Sequence, residues 1–176
     1  MNKLSLSIIL LTIFSLNAHE VADHKAAEKK AMKAIGKLGM NLKKELKAAM
    51  QKSPVHAVQT CNIKASPIAK EIAKEGIEVG RVSRKNRNPD NTPKEWMLET
   101  IEAYHQKKIT KPYTVVQLDN GKHGIIRPIT TMPVCLKCHG EKIDGAIQKK
   151  IKELYPADKA TGYKNGQIRG FFWATY

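Results

Sequence analysis

Cysteine is scarce in this chain: its 176 residues include three cysteines, and two of them, Cys135 and Cys138, lie in one short segment. A structural zinc site usually combines two close pairs of ligands, and the third cysteine, Cys61, has no such neighbour. A thioredoxin-like redox pair begins a helix within alternating strands and helices, and the sequence lacks that alternation. These absences disfavour both common uses of a Cys-x-x-Cys pair.

Long apolar stretches are also nearly absent. The one clear run covers residues 4–16 and is shorter than the roughly 20 residues that a membrane-spanning helix needs. Lys3 precedes it and the small residue Ala18 follows it, which is the pattern of a secretory signal peptide. We therefore expect residues 1–18 to be a signal peptide cleaved near Ala18, the mature protein to be periplasmic, and residues 19–176 to form a single domain.

Acidic residues are outnumbered, with 16 Asp and Glu against 31 Lys and Arg and a formal net charge of +15. Such a charge favours an acidic redox or signalling protein as partner, or an anionic membrane surface. Nucleic acid is the other common partner of a basic chain, but an exported protein seldom meets it, so we expect no nucleic-acid binding. Many lysines follow helical patterns, and a solvated helix face is the alternative explanation for them.

The most informative segment is Cys135-Leu136-Lys137-Cys138-His139. Two thiols three positions apart can each add to one vinyl group of a haem, and the histidine that follows can bind the iron as its fifth ligand. The segment therefore predicts one covalent haem c, with Cys135 and Cys138 in thioether bonds and His139 as proximal ligand. Haem is attached to such motifs outside the cytoplasm, which agrees with an exported chain.

Cys61 is left over once the haem motif has used the other two cysteines. Spacing alone leaves three explanations open: a buried inert thiol, an intermolecular disulfide, or the sixth ligand of the iron. A thiolate ligand would stabilise ferric iron and lower its reduction potential. The competing distal ligands are histidines and methionines elsewhere in the chain, namely His56, His105, His123, Met32, Met40, Met50 and Met132.

Hydrophobic periodicity and turn signals predict an α+β fold with an antiparallel sheet. The first expected element is a long amphipathic helix over residues 20–52, whose apolar stripe serves either core packing or a homodimer. The other expected elements are, in chain order, a short helix ending near Cys61, a helix opened by Ser66-Pro67, a strand over 77–82, a helix over 93–107 with a capping box at Thr92, strands over 113–118 and 124–129, a helix over 142–154 and a strand over 167–175.

The polar segment 83–91 carries three cations and is expected to form a loop. A solvated loop is the simplest explanation. Loop cations beside a haem also pair with its propionates, and Arg84 and Arg87 are the candidates for that role.

Four stretches, in the same order, resemble one protein family. They are Thr60-Cys61-Asn62 with Ala65-Ser66-Pro67-Ile68-Ala69; Arg84-Lys85-Asn86-Arg87-Asn88-Pro89-Asp90-Asn91 with Trp96; Cys135-Leu136-Lys137-Cys138-His139-Gly140; and Asp158-Lys159-Ala160-Thr161-Gly162-Tyr163 with Gly166-Gln167-Ile168-Arg169-Gly170. Over nearly the whole mature chain, the protein resembles small exported c-type haem domains with a PAS-like fold. Such domains also form the sensing part of bacterial signalling proteins, and many are described only as a domain of unknown function.

The resemblance implies a PAS-like central antiparallel sheet flanked by helices, with haem bound covalently at its side. It also implies that the iron is held by the histidine of the haem motif and by a cysteine far upstream, which in this chain are His139 and Cys61. We therefore expect a periplasmic mono-haem c-type cytochrome that acts as a one-electron carrier or redox-responsive module. A haem filled on both sides has no free position for a substrate, so we do not expect an enzyme.

Two other functions stay open at this point. A haem-based redox or gas sensor would signal to a separate partner protein, through a change of iron oxidation state or through a gas that displaces Cys61. A zinc or thiol protein would use Cys61, Cys135, Cys138 and His139 as four tetrahedral ligands.

Overall fold

The computed structural model describes residues 5–73 and 76–176, with side chains from Val21 onward. Within those residues the elements are, in chain order, α1 (Ser5–Lys52), α2 (Pro54–Ala73), β1 (Glu78–Val82), α3 (Leu98–His105), β2 (Thr114–Gln117), β3 (His123–Thr130), α4 (Leu136–His139), α5 (Gly145–Leu154) and β4 (Ile168–Thr175). Single turns of 3-10 helix lie at Pro89–Asn91, Glu95–Met97 and Pro133–Cys135. The predicted signal peptide, residues 1–18, lies outside the described residues apart from the backbone of 5–18.

The four described strands form one antiparallel sheet in the order β1-β4-β3-β2. The last strand of the chain therefore lies between the first and the third, and it is paired on both sides. β2 and β3 form a hairpin whose turn contains Gly121 with a φ of +76°, a left-handed conformation that glycine adopts without strain. The predicted fold class, a PAS-like α+β arrangement with a central antiparallel sheet and a long N-terminal helix, is confirmed.

Helix α1 has one buried face. From Val21 onward its buried residues recur at spacings of three and four, as in Ala31, Ala34, Ile35 and Leu38, so they form a stripe against the sheet. This stripe confirms the amphipathic helix predicted from residue 20 and assigns it to core packing. No helix among the residues with described side chains has the length and apolar composition needed to cross a membrane.

Each face of the sheet carries its own hydrophobic core. Successive strand residues point to opposite faces, so the fully buried neighbours Ile125 and Ile126 belong to different cores. Burial of each such side chain contributes about 1.5–3 kcal/mol to folding. The core on the α1 and α2 side includes Ile35, Leu38, Ile72, Ile77 and Val79, and the core on the α3 side includes Met97, Ile101, Tyr104 and Phe171.

A third, smaller core joins α2 to α5. Val58 of α2 packs there with Ile147, Ile151 and Tyr155, and Cys138 packs against its edge. Asp144 begins α5 as its N-cap, because its carboxylate accepts the backbone N–H groups of Ala146 and Ile147, which removes two unpaired donors from the helix start. This core holds the segment around Cys138 against α2.

Residues 54–73 form one helix, α2, whereas the sequence predicted two helices divided at Ser66-Pro67, and that expectation is wrong. Pro67 lies inside the helix, where it lacks the N–H that would bond to the carbonyl of Ile63. Ile63 and Pro67 are both exposed, so water can satisfy the free carbonyl. Packing of α2 against α1, β1 and α5 keeps its two halves in one helix.

The helix predicted over 93–107 is shorter than expected. A 3-10 turn at Glu95–Met97 comes first, and α3 begins only at Leu98. The Thr92 hydroxyl donates to the carbonyl of Pro89 at 2.7 Å, so it stabilises the preceding loop instead of capping a helix. The capping-box prediction is wrong because a loop contact captures the hydroxyl.

Candidate functional site

A cavity of about 400 Å³ lies between the α1–α2 pair and one end of the sheet. Leu38 and Leu46 of α1 and Val58 of α2 give it an apolar wall. The Cys-His turn, which we define as residues 133–139, contributes to the opposite wall. A volume of this size falls within the range of pockets that hold cofactors and other small ligands.

This cavity collects the sulfur and imidazole groups that the sequence singled out. Cys61, Cys135, Cys138 and His139 all line it, although Cys61 lies on α2 and the others on the Cys-His turn. Among the seven competing distal ligands, all of which lie in the described part of the chain, Met50 alone also lines this cavity. Spacing in the sequence left Cys61 and the seven competing residues open as distal ligands. Of these eight residues, Cys61 and Met50 line the cavity.

The ring of His139 is oriented by a backbone acceptor. Its Nδ1 lies 2.7 Å from the carbonyl oxygen of Ala160, and because a carbonyl only accepts, we assign the proton to Nδ1. Nε2 then keeps a free lone pair, which is the form that binds a metal. The Nε of Arg169 also lies 3.3 Å from Nδ1. Because a protonated Nδ1 and the Arg169 Nε–H are both donors, we interpret this distance as a packing contact and not as a hydrogen bond.

Burial and neighbouring cations keep His139 neutral. Desolvation is the main reason that the pKa of His139 lies well below its ordinary value, and the positive charges of Arg169 and Arg87 lower this pKa further. The hydrogen bond to Ala160 raises the pKa by less than these effects lower it. A neutral imidazole is ready to bind a metal without first losing a proton.

The anchoring loop, which we define as residues 158–163, holds the Cys-His turn in place. The N–H of Tyr163 donates to the carbonyl of His139, and the N–H of Gly162 donates to the carbonyl of Gly140, each at 2.9 Å. The Tyr163 ring also packs edge-on against the His139 ring, with 6.5 Å between the centroids. These contacts fix the backbone of the turn and the plane of the imidazole together.

Arg87 connects the anchoring loop to the Cys-His turn. Its Nε and Nη2 donate to the Asp158 carboxylate at 3.1 and 3.2 Å, and Nη2 also donates to the carbonyl of Cys138 at 2.6 Å. The side chains of Arg87 and Asp158 are 12% and 8% exposed, so this ion pair is nearly buried. The sequence proposed Arg87 as a propionate partner; the structure places it at the cavity, with its hydrogen bonds directed to the protein.

Arg84, the other predicted propionate partner, does not line this cavity. Its side chain is 60% exposed and pairs with Glu102. Together with Lys85, His105 and Lys107 it lines a second, open cleft of about 780 Å³. The structure therefore gives no support to the role predicted for Arg84. Arg84 and Arg87 face different sides of the same loop, and their spacing in the sequence could not distinguish them.

Cys61 faces the cavity from the middle of α2. Its thiol is open to the cavity, yet the surrounding protein excludes enough water that desolvation raises its pKa, with Arg81 and Arg87 acting in the opposite direction. Both observations hold for a thiol on the wall of a cavity, accessible to a ligand inside it but poorly hydrated. The explanation of Cys61 as a buried inert thiol is wrong for this position.

Two further arginines, Arg81 and Arg169, line the cavity. Neither of them had a role predicted from the sequence. Arg81 was hidden inside a strand pattern, where its direction could not be known before the sheet was assembled. For Arg169 a signal was available, because it belongs to the fourth of the stretches that carry the family resemblance.

A tetrahedral zinc site is not formed by the predicted ligands. Cys61, Cys135, Cys138 and His139 all lie in the described part of the chain, and within it no three His, Cys, Asp or Glu side chains are placed to share one metal ion. The described arrangement therefore gives no support to the zinc alternative.

The comparisons with known proteins agree on one family. A family model described as Tll0287-like matches residues 15–175. The chain belongs to the Tll0287-like family. It is similar to the crystal structure of the cyanobacterial haem protein Tll0287, with a TM-score of 0.53 and 29% identity over 66% of this chain and 71% of that chain. The comparison with curated proteins finds no match.

The Tll0287-like assignment confirms the resemblance to a family of small haem-protein domains that the four sequence stretches indicated. The match to the Tll0287-like model includes Cys61, the Cys-His turn and the anchoring loop in one region. The lining residues of the cavity are thus part of the domain that defines the family.

Proposed function

We propose that this Tll0287-like protein binds one haem c in the cavity between α2 and the Cys-His turn. The observation that carries the proposal is that Cys135, Cys138, His139 and Cys61 line a single cavity. The description of the similar cyanobacterial structure as a haem protein supports the same cofactor.

The residues present fit this cofactor. Cys135 and Cys138 are free, half-buried thiols on the cavity wall, as attachment through two thioether bonds requires. His139 is neutral with the lone pair of Nε2 available, as a proximal ligand must be, and Cys61, which lines the same cavity, would supply the second ligand. When bound, haem supplies a one-electron ferric/ferrous couple.

We propose that the protein is a periplasmic mono-haem cytochrome, a one-electron carrier or redox-responsive module and not an enzyme. His139 and Cys61 together would leave no coordination position for a substrate. The anchoring loop and the Arg87–Asp158 pair hold the His139 side rigid, which keeps the structural change on electron transfer small. The pattern of the N-terminus, with cleavage near Ala18, supports export.

We propose an acidic redox or signalling protein as the partner. The net charge of +15 supports this choice, and so does the open cleft lined by Arg84, Lys85 and Lys107. Tyr163 lines that cleft and contacts the His139 ring, so a partner bound there is one side chain away from the proximal ligand. An anionic membrane surface would be attracted by the same positive charges. A homodimer could use the exposed Met40 of α1 as part of its interface. We expect no nucleic-acid partner.

A haem-based redox or gas sensor is the second candidate, and one observation favours it. Cys61 lies on a helix that Pro67 leaves one backbone hydrogen bond short, so this part of α2 has less internal support than an unbroken helix. Release of Cys61 on reduction or by a gas would free α2 to shift against α1 and α5, which it contacts. A separate partner protein would detect that shift.

The test is a set of absorption spectra of the mature protein, produced in a host that attaches haem c: ferric, ferrous, and ferrous with CO. We expect a ferric spectrum of the thiolate-ligated type. A ligand change on reduction together with CO binding would favour the sensor, whereas unchanged ligation without CO binding would favour the carrier. The variant Cys135→Ser/Cys138→Ser is the control for covalent attachment, since its haem should be removable with acidic acetone. A colourless wild-type protein would refute the proposal.

A further inference from the structure

Three arginines line the cavity, and two of them have protein partners. Arg87 pairs with Asp158 and binds the carbonyl of Cys138. Arg169 donates to the carbonyl of Lys85 at 3.2 Å. Arg81 differs, because its guanidinium makes no hydrogen bond or ion pair with any residue in the described part of the chain.

The sheet directs Arg81 into the space between β1 and α2. In the strand register Arg81 lies opposite Phe172, which packs against the core on the α1 and α2 side, so both side chains share that face. The titratable neighbours that most affect the pKa of Arg81 are the Cys61 thiol and the Tyr155 hydroxyl, and both raise it. The carboxylate of Asp90 also lines the cavity, but it contacts Asn88 and makes no ion pair with Arg81.

A guanidinium in such a position is short of compensating charge. Desolvation lowers the pKa of Arg81 from its ordinary value, and the effects of Cys61 and Tyr155 are smaller than that of burial. Arginine does not give up its proton in a protein, so the charge remains. Arg81 is half-buried, and a poorly hydrated cation without a partner is costly. An anionic group on a molecule inside the cavity would reduce that cost.

We propose that Arg81 is the carboxylate-binding residue of this cavity and that it pairs with a propionate of the haem. This inference rests on the proposed haem site and replaces the sequence-based choice of Arg84 and Arg87 for that role. Arg84 lies outside the cavity, and the Arg87 guanidinium is already paired with Asp158.

A propionate fits Arg81 better than the Cys61 thiolate does. Arg81 and Cys61 are close enough to affect each other's pKa, but no hydrogen bond joins their side chains. A carboxylate on a short flexible arm can accept both parallel N–H groups of a guanidinium through its two oxygens, whereas a thiolate offers a single sulfur atom. Such a pair would also restrict the orientation of a bound haem.

The direct test compares haemin with haemin dimethyl ester, which lacks both carboxylate charges. In the full chain carrying Cys135→Ser/Cys138→Ser, each compound is titrated against the apoprotein and the ratio of the two Kd values is measured. We expect a preference for haemin that Arg81→Gln reduces about tenfold or more, the usual scale for one hydrogen-bonded charge. Arg81→Lys keeps the charge and should retain part of the preference.

Arg127→Gln is the matched control. Arg127 lies opposite the same Phe172 from the other neighbouring strand, but it is exposed and does not line the cavity. Arg127→Gln removes a positive charge from the same face of the sheet but outside the cavity, so it should leave the preference for haemin over its dimethyl ester unchanged. An equal Kd ratio in Arg81→Gln and Arg127→Gln would overturn the proposal, as would a loss of preference in Arg84→Gln alone.

A second measurement uses the covalent holoprotein, so it does not depend on the apoprotein. Arg81→Gln leaves a propionate charge uncompensated near the iron, which stabilises the ferric state and should lower the reduction potential, whereas Arg127→Gln should not. An unchanged potential in Arg81→Gln would overturn the role of Arg81 and leave the haem site standing. A wild-type protein without haem would overturn both.

Discussion

The two walls of the cavity are held by different kinds of interaction. On the side of His139, the Arg87–Asp158 pair, two backbone hydrogen bonds from the anchoring loop and the contact with Ala160 all converge on a short turn. On the side of Cys61 the wall is a helix held by apolar packing, and in the described part of the chain no hydrogen bond involves the thiol.

The difference indicates a division of roles between the two proposed ligands. The position and tautomer of His139 are determined by polar contacts that exist without any cofactor. The position of Cys61 depends on where α2 lies, and that depends on non-directional contacts that tolerate small shifts. A fixed ligand on one side and an adjustable one on the other suits either a carrier with a tuned potential or a sensor with a releasable ligand.

The largest expected effect comes from removing the adjustable ligand. In Cys61→Ala the haem should remain covalently attached, because Cys135 and Cys138 are unchanged. The ferric spectrum should lose its thiolate character, and the reduction potential should rise by a sizeable part of the roughly 0.8 V range that axial ligands span. Spectroscopy and potentiometry of the purified variant measure both changes.

The neighbouring exposed residue Ile63 supplies the control on the same helix, since Ile63→Ala leaves the cavity lining intact. An unchanged spectrum and potential in Cys61→Ala would refute ligation by Cys61. Met50 would then be the next residue to replace, because it also lines the cavity.

A smaller effect is expected from loosening the rigid wall. Asp158→Ala removes one partner of a nearly buried ion pair and leaves Arg87 without compensating charge, which should cost about 3 kcal/mol of unfolding free energy. Urea denaturation of the holoprotein measures the loss. Glu141→Ala breaks the exposed pair with Lys164 and should cost less than about 1 kcal/mol. Equal losses in the two variants would show that the His139 wall does not depend on this pair.

The smallest effect concerns a single proton on His139. Its folded-state pKa lies below the ordinary value of 6.5, so the unfolded chain binds more protons near that pH and stability falls as the pH decreases through it. The haem-free variant Cys135→Ser/Cys138→Ser should therefore have a lower urea midpoint at pH 5 than at pH 7.5. Adding His139→Gln should remove part of this pH dependence, and an unaltered slope would contradict the assigned burial of the imidazole.

Much of the secondary structure followed from local patterns. The strands around Gly121, the strand before Ser83 and the amphipathic stripe of α1 were all predictable, because period and turn chemistry are local properties. The predictions failed where tertiary contacts override such signals. The sequence pattern predicts a helix start at Pro67, but packing on both sides keeps α2 continuous. The pattern also predicts a helix cap at Thr92, but the Thr92 hydroxyl donates to the carbonyl of Pro89 instead.

The candidate site also contains residues that the sequence could predict and residues that it could not. The Cys-x-x-Cys-His spacing pointed to Cys135, Cys138 and His139, because the proposed haem attachment would need all three within one short segment. Nothing local distinguished Arg84 from Arg87, or pointed to Arg81, because the direction of each guanidinium depends on how the loop and the sheet are assembled.

The sequence by itself determined the chemistry available to this protein: two thiols three positions apart, a histidine directly after them, a lone distant cysteine and a large excess of cations. Only the tertiary structure decided which groups meet. Helix α2 brings Cys61 to the cavity that the Cys-His turn also lines, and the anchoring loop selects the tautomer of His139. Of the three arginines that line this cavity, the sheet leaves Arg81 without a side-chain partner among the described residues. The physical reason is that reactivity belongs to residue types, whereas proximity and compensation of charge arise only when distant segments pack together.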